Sequence, residues 1–135
     1  MSIPYLIRKQ VAELAKHRCE YCLIHEDDTY FGCEIDHIIS LKHQGDSTLE
    51  NLAFACMTCN RFKGSDLGSL SADGNLIGFF NPRKHLWNDH FYIENNEIIP
   101  LTEIGKVTVK IFRFNDGERK IEREELQKIG HYPKM

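Results

Sequence analysis

Four of the five cysteines form two Cys-x-x-Cys pairs, Cys19 with Cys22 and Cys56 with Cys59. Each pair places two thiolates on one tight turn, and two such turns brought together complete the tetrahedral sulfur shell that zinc prefers in structural sites. A complete shell leaves no open position for water, so we expect this zinc to be structural. A disulfide framework would leave one cysteine over, and a thioredoxin-like redox role needs one pair within a βαβ pattern. The fifth, Cys33, is interpreted as a small buried hydrophobic residue.

Between these pairs and just after them, the chain reads IDHIISLKHQGDSTLENLAFACMTCNRFKG, which contains groups suited to phosphodiester hydrolysis. That reaction needs an activated water, a cation against the charge growing on the phosphate, and help for the departing alkoxide. His37 can be the general base because imidazole titrates near neutral pH. Asp36 and Asn60 offer hard oxygen ligands suited to Mg²⁺ or Mn²⁺. Arg61 and Lys63 are candidates for clamping phosphates.

The order and spacing of these motifs resemble the HNH endonucleases, also called His-Me finger nucleases, whose ββα-metal core is often braced by a four-cysteine zinc site. The resemblance covers residues 17–66. Its matching features are Asp36-His37, His43 and Gly45 in the following loop, Glu50-Asn51-Leu52 entering a second strand, and Cys-x-x-Cys-Asn-x-x-Lys-Gly at a helix. The stretches FFNPRKHLW and NDHF look like an extension found on some members, and this match is much weaker.

The resemblance implies a metal-dependent endonuclease that hydrolyses DNA by nicking or double-strand cleavage. In it, His37 is the general base, Asp36 and Asn60 hold the catalytic Mg²⁺ or Mn²⁺, and Asn51 positions the base by tying the loop through backbone hydrogen bonds. Asn60 stands where many relatives have histidine. The loop residue His43 would assist the site or contact phosphate, although a solvated histidine fits its position equally well.

Asp36 and His37 are consecutive, and this raises a geometric difficulty. On a regular strand their side chains point to opposite faces unless the strand bends or ends there. The resemblance implies that a distorted ββα site brings both to one ion.

The helices and strands that must position this site are predicted from the periodicity of apolar residues. Residues 4–16 carry apolar side chains at helical spacing, with Ser2 as a candidate N-cap. Two strands are predicted at YFGCEIDHIIS and LAFAC, which are rich in aromatic, aliphatic or β-branched residues. A helix is predicted to begin at MTCNRFKGS, and Gly64 or Gly68 could end it.

The C-terminal part is predicted as an irregular connection over 65–78, followed by a hairpin at Asn95-Asn96. Thr102 is a candidate cap for one helix, and Asn115 or Asp116 for a last helix that Gly130 ends. Trp87 and Phe91 are assigned to the core. The cluster Arg83-Lys84-His85 is either a solvated loop or a contact to DNA backbone.

The predicted fold class is α+β, in a single HNH domain over residues 1–135, since this length suits one domain. It divides into an N-terminal helix (1–18), a zinc-braced ββα-metal core (19–68) and a C-terminal α/β extension (69–135). No run of apolar residues is long enough for a membrane helix, and no export signal is evident, so we expect a cytoplasmic protein without a membrane partner.

The formal net charge of −3 gives no sign of a nucleic-acid partner, but its distribution does. Residues 106–135 hold 8 Lys and Arg against 5 Asp and Glu, counted along the sequence. We therefore expect DNA binding that is modest and sensitive to salt. The alternative functions are a catalytically inactive, zinc-braced nucleic-acid-binding module and a structural zinc domain for protein partners. The sequence leaves open whether the protein forms a homodimer, which double-strand cleavage with one site per chain would need.

Overall fold

The computed structural model describes residues 3–134, so the candidate cap Ser2 lies outside the described residues. The structure combines helices with three two-stranded antiparallel sheets, which confirms the α+β class. In chain order the elements are α1 (Tyr5–Leu14), β1 (Cys33–His37), β2 (Leu52–Cys56), α2 (Met57–Lys63), β3 (Gly68–Leu70), β4 (Leu76–Gly78), α3 (Trp87–His90), β5 (Phe91–Glu94), β6 (Glu97–Pro100), α4 (Glu103–Ile111) and α5 (Gly117–Lys128).

A ββα unit made of β1, β2 and α2 forms the centre of the N-terminal half. The two strands pair in regular register, with Cys33 opposite Cys56 and His37 opposite Leu52. Every residue of β2 is buried, as its continuous apolar run LAFAC predicts. The helix begins directly after β2, with the Cys56 sulfur accepting a hydrogen bond from the Cys59 backbone amide, and it ends at Gly64. The predicted strands and helix are confirmed at these positions.

The helix α1 covers one side of this unit. Its buried Val11 packs in a small cluster with Leu52 and Phe54 of β2. The predicted amphipathic helix over 4–16 is therefore confirmed, with slightly narrower bounds. Because α1 packs against one face of the β1–β2 hairpin, α2 packs against the other face.

The C-terminal half shares one apolar core with the cysteine pairs. Phe91, Phe112 and Phe114 are fully buried in the same cluster as Cys19 and Cys59. The hairpin β5–β6 turns at Asn95, whose φ is +56°, and Thr102 caps α4 through its side chain, both as predicted. Phe91 is a core residue and Trp87 packs against that core, again as predicted.

Two elements of this half differ from the prediction. Residues 65–78, predicted as an irregular connection, contain the short hairpin β3–β4. The short helix α3 was not predicted either. Gly, Ser and Asp have weak strand preference, so the pairing of β3 with β4 depends on α4 packing against both strands rather than on local sequence.

Within residues 3–134, none of the helices combines the length and the apolar character that crossing a membrane requires.

Candidate metal centre and active site

The four paired cysteines come together in the interior. The sulfur atoms of Cys19, Cys22, Cys56 and Cys59 all lie within 4.8 Å of one another, and the four residues are buried. Each pair forms a turn. The backbone amide of Cys22 donates to the Cys19 sulfur, and the backbone amide of Cys59 donates to the Cys56 sulfur, at 3.4 Å in both cases. Four sulfurs at this spacing fit the tetrahedral shell of zinc. The predicted four-cysteine zinc site is therefore supported by geometry as well as by spacing.

The pKa shifts of the clustered cysteines differ in direction: hydrogen bonds from Cys19 and the other cysteines lower the pKa of Cys22. Burial raises the pKa of the Cys19 and Cys59 thiols, because desolvation disfavours a thiolate. A metal ion would overcome that cost by binding the thiolates directly. Cys33 is excluded from this four-sulfur group and lies partly buried against the core, which agrees with its interpretation as a hydrophobic residue.

A cation from the C-terminal half also reaches the sulfurs. The Arg119 guanidinium on α5 donates to the Cys59 sulfur at 3.1 Å and to the Phe112 carbonyl at 2.7 Å. Burial works to lower the pKa of Arg119, but the negative charge of the cysteines raises it on balance. Arg119 was not among the predicted site residues, and no signal in the sequence indicates it, since α5 carries many charged residues and Cys59 is 60 positions away.

Further contacts join the C-terminal half to the turn that carries the first cysteine pair. The Trp87 indole donates to the Tyr21 carbonyl at 2.8 Å, and the Tyr132 hydroxyl donates to the Cys22 carbonyl at 2.7 Å. Arg83 donates to both carboxylate oxygens of Glu20 and to the Leu52 carbonyl. Arg83 is therefore held by protein groups, and the cluster Arg83-Lys84-His85 offers less free positive charge to DNA than its sequence indicates.

Asp36 and His37 lie at the C-terminal end of β1 with their side chains on opposite faces, as the alternation of a regular strand predicts. The His37 ring is partly exposed, and its Nε2 lies 3.0 Å from the Ser47 hydroxyl in the following loop. Asp36 is only 5 % exposed on the inner face. The strand keeps regular register at both residues, so the structure contains no distortion that brings both side chains to one point.

Both carboxylate oxygens of Asp36 already have partners. Oδ1 accepts from the Lys63 ammonium at 3.2 Å, and Oδ2 accepts from the Tyr21 hydroxyl at 2.8 Å. Burial raises the pKa of Asp36, and Lys63 and Tyr21 partly counteract that rise. Tyr21 was not among the predicted site residues; it lies between the paired cysteines Cys19 and Cys22.

Lys63 has a different position from the one predicted. Its side chain is 2 % exposed, and its ammonium also donates to the His37 carbonyl at 3.0 Å. A lysine engaged in this way does not reach out to a phosphate. Helical spacing offered a signal for this, because Lys63 is four residues after Cys59 and shares its inward face.

Asn60 is on the same helix but contacts another carboxylate. Its Nδ2 donates to Glu34 Oε2 at 2.9 Å, whereas Asp36 is bound to Tyr21 and Lys63. Glu34 lies two residues before Asp36 and therefore on the same face of β1. Glu34 and Asp36 of this face and Asn60 of α2 carry oxygen atoms of the kind that bind Mg²⁺ or Mn²⁺, and Asn60 contacts Glu34 rather than Asp36. An ion bound to Asp36 would have to replace one of that carboxylate's present partners.

Asn51 holds the loop between the strands. Its Oδ1 accepts from the Ile39 amide at 2.8 Å, and its Nδ2 donates to the carbonyls of Ile39 and Asp46, at 2.9 and 2.8 Å. These are backbone hydrogen bonds of the kind that the family resemblance implies. Gly45 is required beside them, because a Cβ there would lie 1.7 Å from the Ile39 carbonyl oxygen.

The remaining predicted phosphate ligands are exposed. Arg61 is on the outer side of α2, and His43 is in the loop that Asn51 organises. His43 is one of the residues lining a shallow cavity of about 290 Å³ that Gly45 and Asn51 also line.

Comparison with protein families places residues 19–66 under the model described as HNH endonuclease. This segment contains the ββα unit and all four clustered cysteines, and it amounts to just over a third of the chain. The chain therefore contains an HNH domain, of the ββα-metal type, at residues 19–66, which confirms the predicted resemblance. Neither the curated proteins nor the solved structures yielded a match. HNH domains are generally those of endonucleases, so the chain has a nuclease-family domain with a candidate zinc site.

Proposed function

We propose that this protein is a metal-dependent endonuclease that hydrolyses phosphodiester bonds of DNA, with His37 as the general base. The single observation that carries the proposal is the position of His37 within the HNH segment: its partly exposed ring stands at the end of β1, beside a loop fixed by Asn51. A base placed on a strand end and supported by a rigid loop keeps its orientation when substrate binds.

The imidazole of His37 would take the proton from the attacking water. Its Nε2 is held near the Ser47 hydroxyl, and its backbone carbonyl is held by Lys63. The first contact restrains the ring, and the second holds the backbone that carries it. A general base works only within hydrogen-bond reach of the proton that it removes, so this restriction supports the role.

Oxygen donors on the inner face of β1 and on α2 support the proposed Mg²⁺ or Mn²⁺ site. Asp36 and Asn60 are the proposed ligands, and Glu34 is the carboxylate that contacts Asn60. A divalent ion bound there would neutralise charge on the phosphate. Among the predicted phosphate ligands, Arg61 and His43 are exposed and keep this role in the proposal, whereas the burial of Lys63 argues against it.

Plasmid relaxation tests the proposal. Supercoiled plasmid is incubated with zinc-loaded protein and Mg²⁺ or Mn²⁺, and we expect nicked or linear product. His37→Ala should reduce the rate at least a hundredfold, the usual scale for a general base. His17→Ala, which removes an exposed histidine of the N-terminal segment, is the matched control and should keep the rate. Absence of product with either ion, or equal activity of His37→Ala, would disprove the proposal.

The buried contact between Lys63 and Asp36 favours one second candidate, a zinc-braced nucleic-acid-binding module without catalysis. In that case the ammonium permanently occupies the position that an ion would need beside Asp36. The two candidates separate in the same experiment, because a module of this kind retains DNA at low salt in a gel-shift assay but leaves the plasmid supercoiled. A protein that retains no DNA and cleaves none contradicts both.

A further inference from the structure

Two adjacent aromatic side chains are exposed on the loop before β1. Tyr30 is 93 % exposed and Phe31 is 67 % exposed. Their rings meet edge to face, with 4.7 Å between the centroids. Large aromatic groups exposed together, with no role in the core, are typical of surfaces that bind a partner.

A cavity of about 270 Å³ opens beside these rings. We call it the aromatic pocket, and define it by Ile24, Tyr30, Phe31, Met57, Arg61 and Arg119, which all line it. Ile24 is buried and supplies an apolar inner wall. The pocket thus combines flat aromatic surfaces, an apolar wall and positive charge.

The two arginines of the aromatic pocket differ in freedom. Arg119 is held by the Cys59 sulfur and the Phe112 carbonyl, so it forms a fixed wall. Arg61 is exposed, and its one described contact is a long one of 3.9 Å to the Met57 sulfur. Glu122 also lines the pocket, from the α5 side. A flat ring with a π face joined to an anion matches this combination, and a nucleotide of a DNA strand has that composition.

The aromatic pocket lies beside the two elements that carry the proposed site, β1 and α2. It adjoins the end of β1 where Cys33 pairs with Cys56, and His37 is at the other end of the same strand. Four residue steps of a strand span about 13 Å, which corresponds to about four nucleotides of one B-form strand. Arg61 lines the pocket and directly follows Asn60 in α2, so the pocket and the proposed site share this helix.

We propose that the aromatic pocket receives an unstacked base of the DNA strand bound at the active site, and that the protein therefore prefers DNA with unpaired bases over intact duplex. This inference rests on the proposed function. A paired base is already stacked in the helix and must leave it to enter the pocket, whereas an unpaired base enters at little cost. Stacking on Tyr30 or Phe31 tolerates any base, since every base has a π face.

Fluorescence anisotropy tests this preference. A labelled oligonucleotide is titrated as a single strand and as a duplex, at one salt concentration and without added Mg²⁺ or Mn²⁺, so that binding is measured without cleavage. We expect Tyr30→Ala combined with Phe31→Ala to weaken single-strand binding about tenfold or more, the scale of losing one stacked base. Binding to the duplex should change less than about twofold, because its bases stay stacked.

Two variants serve as controls. Tyr5→Ala removes another exposed tyrosine, on α1, and should change neither affinity. Tyr30→Phe keeps the ring and should retain single-strand binding. If the double variant binds both forms as the wild type does, or loses both equally, the inference is wrong while the proposed function stands. If the wild type binds neither form, the inference is wrong, and plasmid relaxation with Mg²⁺ or Mn²⁺ decides the proposed function independently.

Discussion

The Lys63 ammonium and the Asp36 carboxylate form a buried ion pair across the interface between α2 and β1, at 3.2 Å. The two side chains are only 2 % and 5 % exposed. The same ammonium binds the His37 carbonyl, so one cation fixes both residues of the Asp-His pair. The pair therefore joins the stability of the domain to the position of the proposed general base.

We predict that Lys63→Met destabilises the protein by about 3–5 kcal/mol, because it leaves the Asp36 carboxylate buried without its cation. The measurement is urea unfolding of zinc-loaded protein. Adding Asp36→Asn should recover much of the loss, since the amide is neutral and can still bind the Tyr21 hydroxyl.

Lys42→Met is the matched control for this change, because Lys42 is exposed in the loop after β1. It should leave the unfolding midpoint within experimental error. Equal midpoints for Lys63→Met and Lys42→Met would show that the ion pair contributes no stability.

The zinc site gives a second prediction. Purified protein should contain one zinc per chain, and Cys19→Ser should remove it and abolish the cooperative unfolding transition, because metal binding at such a site is coupled to folding. Elemental analysis and circular dichroism measure the two effects. Cys33→Ser is the control, since Cys33 is excluded from the four-sulfur group, and it should keep both the zinc and the transition. Loss of zinc in the control, or its retention in Cys19→Ser, would contradict the assigned ligands.

Arg119 is expected to tune the affinity for zinc. Its guanidinium donates to the Cys59 sulfur, and removal of hydrogen bonds to metal ligands typically costs about 10–100-fold in metal affinity. Arg119→Gln should therefore lose zinc to a competing chelator at a lower chelator concentration than the wild type. Arg113→Gln, at an exposed arginine, should behave as the wild type. An unchanged titration for Arg119→Gln would mean that the contact has no effect on the metal.

The contrast between Cys19 and Lys63 explains how much of this structure the sequence could predict. The cysteine pairs are local signals with fixed spacing, and the first helix, the strands of the ββα unit and the hairpin at Asn95 follow from local periodicity and turn residues. The partners of Lys63 and Asn60 depend on how α2 is rotated against β1, which the sequence alone does not fix. Arg119 reaches the sulfurs only because the C-terminal half folds over the four clustered cysteines.

Gly45 provides the last prediction, because it connects the loop to the proposed catalysis. A Cβ at this position would lie 1.7 Å from the Ile39 carbonyl oxygen and 2.8 Å from the Asn51 Nδ2, so Gly45→Ala must displace the loop or the Asn51 side chain. A shift of this kind moves the support of His37, and misplacement by about 1 Å can cost roughly a hundredfold in rate. We expect the plasmid-relaxation rate to fall on that scale, with a shifted NMR signal for the Asn51 side-chain amide. Gly117→Ala, where the added Cβ has no atom within 4 Å, should keep both the rate and the signal. A Gly45→Ala protein with an unchanged Asn51 signal would show that this close approach does not position the loop.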